Sequence, residues 1–201
     1  MKTFTLEWNA VTTLEDADRS GHGALKKLVG LHRRVIDLGI VTTAASENTR
    51  LKKFPETAAD FENRLAAVGL HEATKVLTPG AIGLTYFGLC CFARDDYDES
   101  TGKIWNIIKP KSVPRNHKDF AEQNRISEDT SIRSPEYQKW RNKWCDVNSI
   151  YAHICARRDV FVTGDLKNFK GSARDKLLEL GVGEICSYDE ALASAQSTTI
   201  R

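Results

Sequence analysis

The chain has 201 residues, of which 41% are hydrophobic and 28% charged, so it can bury a core without disulfides or a structural metal. Its formal net charge of +2 excludes a strongly basic nucleic-acid tail but leaves room for a local basic patch. The five cysteines lack CxxC spacing, so no zinc motif or disulfide framework follows, and we expect reduced, structural thiols.

The sequence predicts neither a membrane span nor a signal peptide. No run of residues approaches the ~18 consecutive apolar residues that a membrane span needs. The first residues also lack the long apolar region and small-residue cleavage site of a signal peptide. We therefore expect a cytoplasmic protein with no membrane partner.

The N-terminal part of the chain predicts alternating strands and helices. Residues 3–9 have the pattern of a first strand, and residues 24–38 have apolar residues at helical spacing. Gly39 is placed to end that helix, and the β-branched residues 40–44 predict a second strand.

A second helix is expected to follow Pro55 and to end at Gly69. Residues 73–77 and 84–92 are strand candidates, and the second is apolar enough to be a buried strand. Residues 94–134 contain acidic, proline-containing and polar stretches, which indicate an irregular or partly helical insertion.

The last third of the chain has the clearest pattern. Ser134 and Pro135 are typical of a helix start, and an apolar stripe follows at helical spacing: Trp140, Trp144, Val147, Tyr151 and Ile154. A strand over 159–163, a helix over 173–180, a strand over 183–187 and a helix over 189–195 come next. This alternation predicts an α/β fold with a mainly parallel sheet covered by helices.

Acidic residues stand where parallel strands are expected to end. Glu7 closes the first strand, Glu47 follows the second, and Asp165 follows the strand over 159–163. Reactive groups of open parallel sheets collect just beyond these carboxyl ends. Asp146 shares one face of the long helix with Asn142, Ser149 and His153, opposite the apolar stripe, and that placement could bring Asp146 towards Asp165.

A cluster of carboxylates favours a divalent cation, because unpaired acids repel one another and one of them must take up a proton. Hard oxygen ligands suit Mg²⁺ or Mn²⁺ rather than zinc. Two such ions about 4 Å apart can activate a water and stabilise the leaving oxygen in phosphodiester cleavage. No Ser-His-Asp elbow, Walker loop or dinucleotide glycine pattern competes with this interpretation.

Three segments resemble the end of a PIN domain, a family of metal-dependent ribonucleases: residues 143–153 (KWCDVNSIYAH), 158–165 (RDVFVTGD) and 180–192 (LGVGEICSYDEAL). The resemblance is clearest over residues 140–192. It implies a three-layer α/β/α fold over one domain, 1–201, with the insertion at 94–134. It also implies that Asp146 and Asp165 are the third and fourth active-site acids and that Thr163 orients a carboxylate or phosphate.

The first part of the family's site departs from its usual pattern. PIN domains usually have Asp-x-Asn after the first strand, whereas this chain has Glu7-Trp8-Asn9. Glu7 would still bind metal with Asp146 and Asp165, and Asn9 would support it. For the second acid, Glu47 is favoured over Glu62.

The resemblance thus implies an Mg²⁺- or Mn²⁺-dependent endoribonuclease that leaves 5′-phosphate and 3′-hydroxyl ends. Between Trp105 and Cys145 there are nine Lys/Arg and five Asp/Glu, a local net charge of +4, so Lys109, Lys111 and Arg115 are the expected RNA contacts. A cognate inhibitor protein and a homo-oligomer are further partners that this family allows.

Two alternatives stay open. The chain could be a PIN-like scaffold without catalysis that binds nucleic acid or protein, for which Glu7 is the main support. It could also be an unrelated phosphotransfer or phosphatase domain, although such a domain would use a nucleophilic Asp after the first strand, where this chain has Glu.

Overall fold

A parallel sheet forms the centre of the protein. The computed structural model describes residues 1–43, 55, 57–108, 113–169 and 171–198. The strands of this part of the chain are β1 (Lys2–Leu6), β2 (Ile36–Val41), β3 (Thr74–Val76), β4 (Thr78–Pro79), β5 (Cys90–Cys91), β6 (Val160–Val162) and β7 (Glu184–Cys186). Five of them pair in the order β3-β2-β1-β6-β7, all parallel, and β4 and β5 form a separate parallel pair.

Helices cover both faces of this sheet. Those within the described residues are α1 (Trp8–Leu14), α2 (His22–Val29), α3 (Ala58–Ala67), α4 (Tyr97–Ile107), α5 (His117–Asn124), α6 (Gln138–Cys155), α7 (Ser172–Glu179) and α8 (Tyr188–Thr198). One core cluster packs α1, α2, α3 and α8 against one face of the sheet. A second core cluster packs α4, α5, α6 and α7 against the other face. The predicted three-layer α/β/α fold with a mainly parallel sheet is confirmed.

The strand order reverses beside β1. The chain builds β2 and β3 on one side of β1 and then adds β6 and β7 on the other side. In an open parallel sheet, the crevice at such a reversal is where ligands bind, just beyond the carboxyl ends of the strands. The end of β1 and the end of β6 are therefore the places to examine for a site.

Alternation along the central strands explains how both faces are filled. Phe4 and Leu6 of β1 are fully buried in the first cluster. Thr5 between them points to the other face, where its hydroxyl lies 2.8 Å from Nδ1 of His153 on α6. Successive side chains of a strand point to opposite faces, so a strand covered on both sides has few solvent-facing positions.

The expected helix over 24–38 is wrong in its second half. α2 ends at Val29, Arg33 takes a left-handed φ of 61° in the following turn, and β2 begins at Ile36. The expected strand over 40–44 is accordingly displaced to Ile36–Val41. Gly39 does not end a helix but lies within β2, where the guanidinium of Arg158 packs directly over it.

The apolar segment 84–92 does not form the expected buried strand. Gly83 and Gly88 have φ values of 79° and 85°, which break an extended chain, and only Cys90–Cys91 is paired as a strand. Phe87 and Phe92 project fully into solvent. Composition alone suggested burial, but the glycine turns decide which side chains reach the core.

The segment 94–134, expected to be irregular or partly helical, contains α4 and α5. These helices cover the Trp stripe of α6: Trp140 and Trp144 share a core cluster with Trp105 of α4 and Phe120 of α5. The opposite, polar face of α6 packs on the sheet. An apolar helix face usually packs on the sheet, but here α4 and α5 cover it and the polar side chains Ser149 and His153 meet the sheet side.

All five cysteines are free thiols; Cys145 and Cys186 are buried and Cys91 is exposed. No helix among the described residues is both long and apolar enough to cross a membrane.

Adding a methyl group to Gly39 should destabilise the protein. A Cβ there would lie 2.7 Å from Cγ2 of Val76 and 2.9 Å from Cζ of Arg158, so Gly39→Ala should lower the free energy of unfolding by about 1–3 kcal/mol. Gly23→Ala is the control, since no atom lies within 4 Å of its Cβ position in α2, and it should gain up to about 1 kcal/mol from helix propensity. Urea unfolding measures both. Equal effects of the two variants would contradict the packing described for Gly39.

Candidate functional site

Glu7 is the centre of a buried polar cluster at the end of β1. Its side chain is only 5% exposed. Three donors converge on one carboxylate oxygen, Oε1: the amide of Asn9 at 3.0 Å, the hydroxyl of Thr163 at 2.5 Å and the backbone N–H of Gly164 at 3.2 Å. No hydrogen bond from the described residues reaches Oε2. The carboxylate is thus held by one oxygen while the other keeps its capacity to bind.

Strand pairing explains why these residues meet. β1 and β6 are parallel neighbours with Leu6 opposite Val162, so the next residues, Glu7 and Thr163, leave the sheet side by side. β1 ends at Leu6 rather than at the expected residue 9, and α1 begins at Trp8. The first turn of α1 brings Asn9 back over the Glu7 carboxylate.

Asp146 approaches the same edge from α6. The Ser149 hydroxyl lies 2.8 Å from the hydroxyl of Thr43, which follows β2, and the Cys145 thiol lies 3.7 Å from the Thr43 carbonyl. These contacts hold this part of α6 at the carboxyl end of β2. Asp146 is 26% exposed and forms an ion pair with Lys143, whose Nζ lies 3.1 Å from Oδ2.

Asp165 completes the group of acids. Its backbone N–H donates to Oγ1 of Thr163 at 3.0 Å, which places it in the turn after β6. Burial raises the pKa of Asp146, the nearby Lys143 ammonium opposes that shift, and the negative charge of Asp165 adds to it. The charge of Asp146 likewise raises the pKa of Glu7. The structure therefore brings Glu7, Asp146 and Asp165 into electrostatic contact, with Asn9 and Thr163 as hydrogen-bond partners.

Burial changes the ionisation of Glu7 most strongly. It raises the pKa of Glu7 from 4.5 to about 7, and the charge of Asp146 acts in the same direction, whereas the hydrogen bonds from Thr163, Asn9 and Gly164 lower the pKa. A carboxyl group with this pKa is partly protonated at neutral pH. The Glu7 carboxylate is thus desolvated and only partly compensated by its three hydrogen-bond donors.

Not all of the residues predicted for the site can be placed, and those that the structure describes have other partners. Glu47, Lys109 and Lys111 lie outside the described residues. Glu62 forms an ion pair with Lys75 of β3 at 3.1 Å, two strands away from β1. Arg115 donates to the Asp98 carboxylate and to the Thr101 hydroxyl, both at 2.9 Å, so its guanidinium already has an acidic partner.

His153 has a structural role. It is fully buried, and its two ring nitrogens lie 2.8 Å from the Thr5 hydroxyl and 2.7 Å from the Val182 carbonyl. Burial lowers its pKa to about 4, so the ring is neutral at neutral pH. It joins α6 to β1 and to the segment before β7, and neither nitrogen is left for a metal.

The donor chemistry of the acidic cluster suits a hard divalent cation, since it offers carboxylate oxygens, one of them Oε2 of Glu7. Among the described residues, however, no group of three or more His, Cys, Asp or Glu side chains is spaced to hold an ion as it stands. Lys143 occupies one oxygen of Asp146.

Sequence reasoning missed Tyr188, the first residue of α8. Its ring lies against Gly164, and the charge of Glu7 is among the influences that raise the pKa of its hydroxyl. The signal was present: Tyr188 comes two residues after the end of β7, at the same edge of the sheet as the acids.

Comparison with known proteins adds no assignment. No protein-family model matches the chain, and a search of curated proteins finds no significant match. The function must therefore be argued from the geometry of this site.

Replacing Glu7 should make the protein more stable at high pH. A carboxyl group with a raised pKa in the folded state contributes most below pH 4.5, and that contribution is lost as the pH rises to about 7. Glu7→Gln cannot ionise and keeps an acceptor for the three donors. At pH 8 it should exceed the wild type in free energy of unfolding by up to about 3 kcal/mol.

The measurement is denaturant unfolding between pH 4 and pH 8 in chelator. Glu62→Gln serves as the control, because its exposed ion pair with Lys75 predicts a change of less than about 1 kcal/mol and a wild-type pH profile. A Glu7→Gln variant that loses stability at pH 8 would show that the folded protein stabilises the charge of Glu7, and would contradict the raised pKa.

Proposed function

We propose that the protein is a metal-dependent endoribonuclease whose active site is the cluster of Glu7, Asp146 and Asp165. The observation that carries this proposal is the position of Glu7 and Asp165, which contact the same Thr163 hydroxyl at the ends of β1 and β6, where the strand order of the parallel sheet reverses. Ligand sites of open α/β sheets lie at such points. Asp146 of α6 is near enough for its charge to raise the pKa of Glu7. The segments that resemble a PIN domain contribute Asp146 and Asp165 to this cluster.

The desolvated carboxylate of Glu7 is the physical reason for proposing a metal. Burial, and after it the charge of Asp146, raises the pKa of Glu7 to about 7, and a bound cation would stabilise the ionised form of this carboxylate. Clustered carboxylates of this kind are compensated by Mg²⁺ or Mn²⁺. When bound, such an ion activates water and stabilises the leaving oxygen of a phosphodiester.

The residues around the acids position them. Thr163 donates to Oε1 of Glu7 and accepts from the backbone N–H of Asp165, so one hydroxyl connects two of the acids. Lys143 forms an ion pair with the Asp146 carboxylate one turn further along α6. RNA as the substrate is supported by the resemblance and by the local net charge of +4 between Trp105 and Cys145.

A second candidate is a module of the same fold that binds nucleic acid or protein without catalysis. The Lys143–Asp146 ion pair favours it, because the ammonium ion supplies one positive charge where a cation would otherwise bind. Glu7 in place of the usual Asp points in the same direction. Metal binding by the wild-type protein separates the two candidates.

Asp165→Asn should abolish cleavage while the fold survives. The amide keeps the shape of the side chain but removes the charge that a divalent ion requires, so cleavage of a mixed RNA pool in Mn²⁺ should fall by about 10²–10³-fold. In chelator the variant should unfold at the same temperature as the wild type or slightly higher, because one of the repelling acids is gone. Calorimetric titration with Mn²⁺ should show weaker binding.

Asp175→Asn is the matched control, since Asp175 lies exposed on α7 and should change neither activity nor metal affinity. Wild-type cleavage that persists in chelator, or an Asp165→Asn variant that cuts at the wild-type rate, would refute the mechanism. A wild-type protein that binds RNA but cuts nothing would favour the binding module.

A further inference from the structure

A cleft of about 590 Å³ opens between α4, the start of α5 and α6. Three tryptophans, Trp105, Trp140 and Trp144, line it together with the charged side chains of Asp98 and Arg115. Sites for small organic ligands typically have volumes of about 300–1,000 Å³, apolar walls and a few polar groups that fix the orientation of the ligand. The cleft has these properties, and it shares no residue with the acidic cluster.

The tryptophans present aromatic ring surface to an occupant of the cleft. The indole N–H of Trp105 donates to the Val113 carbonyl, and that of Trp140 donates to the Arg115 carbonyl, both at 3.2 Å. The indole has no other hydrogen-bonding group, so these two rings are left with apolar contact and stacking. Aromatic side chains in such a position bind planar rings, and nucleobases among them, by stacking.

The guanidinium of Arg115 is held at the rim of the cleft. Its Nη2 donates to the Asp98 carboxylate and to the Thr101 hydroxyl, both at 2.9 Å. Gly102, in the middle of α4, leaves room for it, since a Cβ there would lie 3.0 Å from Nη1 of Arg115. Glycine inside a helix is less stable than alanine. Helix stability therefore does not explain Gly102, whereas the position of the guanidinium does.

The charged groups beside the tryptophans match the edge of a nucleobase. Such an edge carries hydrogen-bond donors and acceptors side by side. The cleft offers both kinds of partner, the guanidinium of Arg115 and the carboxylates of Asp98 and Asp119. Because two carboxylates stand against one guanidinium, an occupant recognised by its negative charge alone is disfavoured. Unpaired bases of RNA are bound by this combination of stacking and edge contacts.

The cleft also adjoins the acidic cluster. Val147 lines the cleft, and Asp146 is the preceding residue of α6. Successive residues of an α-helix are roughly 100° apart around its axis, so the cleft and Asp146 lie on adjoining sides of one helix. A strand of RNA that lies across the acids therefore passes next to the cleft.

We propose that this cleft binds one unpaired nucleobase, which stacks on the tryptophans and is hydrogen-bonded at its edge by Arg115 and the neighbouring carboxylates. The base belongs either to a free nucleotide or to single-stranded RNA, and the chemistry of recognition is the same for both. RNA as the source of the base rests on the proposed function. Recognition of the base itself requires neither a metal ion nor cleavage.

Titrations in chelator test this proposal, because no metal-dependent cleavage takes place there. Three of the four tryptophans line the cleft, so a stacked base should quench the fluorescence of the protein. Nucleoside monophosphates and a short single-stranded RNA should bind, and ribose phosphate, which lacks a base, should not. Tighter binding of RNA than of the monophosphates identifies RNA as the source of the base, whereas equal affinities identify a free nucleotide.

Variants locate the binding, with calorimetric titration as the measurement. Arg115→Gln should bind a monophosphate about 10-fold or more weakly. Trp144→Leu should bind about 5–150-fold more weakly, and Trp144→Phe, which keeps an aromatic ring, should stay closer to the wild type. Lys103→Gln is the matched control: Lys103 is also on α4 and pairs with an acid, Glu99 at 2.6 Å, but does not line the cleft. It should bind as the wild type does.

Thermal unfolding shows whether each variant is folded, and Arg115→Gln, whose side chain is exposed, decides alone if Trp144→Leu does not fold. A wild type that binds no monophosphate and no RNA refutes base recognition. Ribose phosphate that binds as tightly as a monophosphate, or a folded Arg115→Gln variant with wild-type affinity, refutes it as well. Cleavage of RNA in Mn²⁺ without base binding in chelator leaves the nuclease standing. Base binding without any cleavage refutes the nuclease and leaves the role of the cleft.

Discussion

The parallel pairing of β1 with β6 is the constraint on which the site depends. It places Glu7 and Thr163 one residue beyond paired positions, so the hydroxyl of Thr163 reaches the Glu7 carboxylate without any loop to position it. A shift of β6 by one residue would turn its side chains to the opposite face, and Thr163 would no longer lie beside Glu7. The polar cluster is thus as rigid as the sheet, which is the condition for a preorganised site.

The same cluster works against stability. Glu7 loses water on folding and gains the repulsion of Asp146, and the three donors on its Oε1 only partly offset these effects. His153 is equally buried but has an opposite dependence on pH, since a lowered pKa contributes stability that is lost as the pH falls from 6.5 to about 4. Both ring nitrogens of His153 have hydrogen-bond partners, whereas the hydrogen bonds of Glu7 only partly offset the cost of burying its charge. That contrast separates a structural polar residue from a candidate functional one.

The two faces of α6 divide the support of the fold from the support of the site. Trp140 and Trp144 pack under α4 and α5, so the insertion 94–134 provides the cover that this face of the helix needs. On the other face, Ser149 contacts Thr43 after β2 and His153 contacts Thr5 of β1, and these two contacts fix the position of Asp146 relative to the sheet.

The apolar segment 84–92 leaves the side chains of Phe87 and Phe92 in solvent.

By itself, the sequence determined the α/β class and the strands and helices after residue 134. It also indicated that Glu7, Asp146 and Asp165 lie near the ends of strands. Regular periodicity and residue types at strand ends are local properties, so they can be recognised without the fold. Only the tertiary structure decided the end of α2 at Val29, the glycine turns that leave segment 84–92 outside the core, and the face of α6 that meets the sheet. These depend on which partner each surface finds. Tyr188 belongs to the second group: two glycines, more than a hundred residues apart in the chain, shape its position, and no local pattern records their meeting.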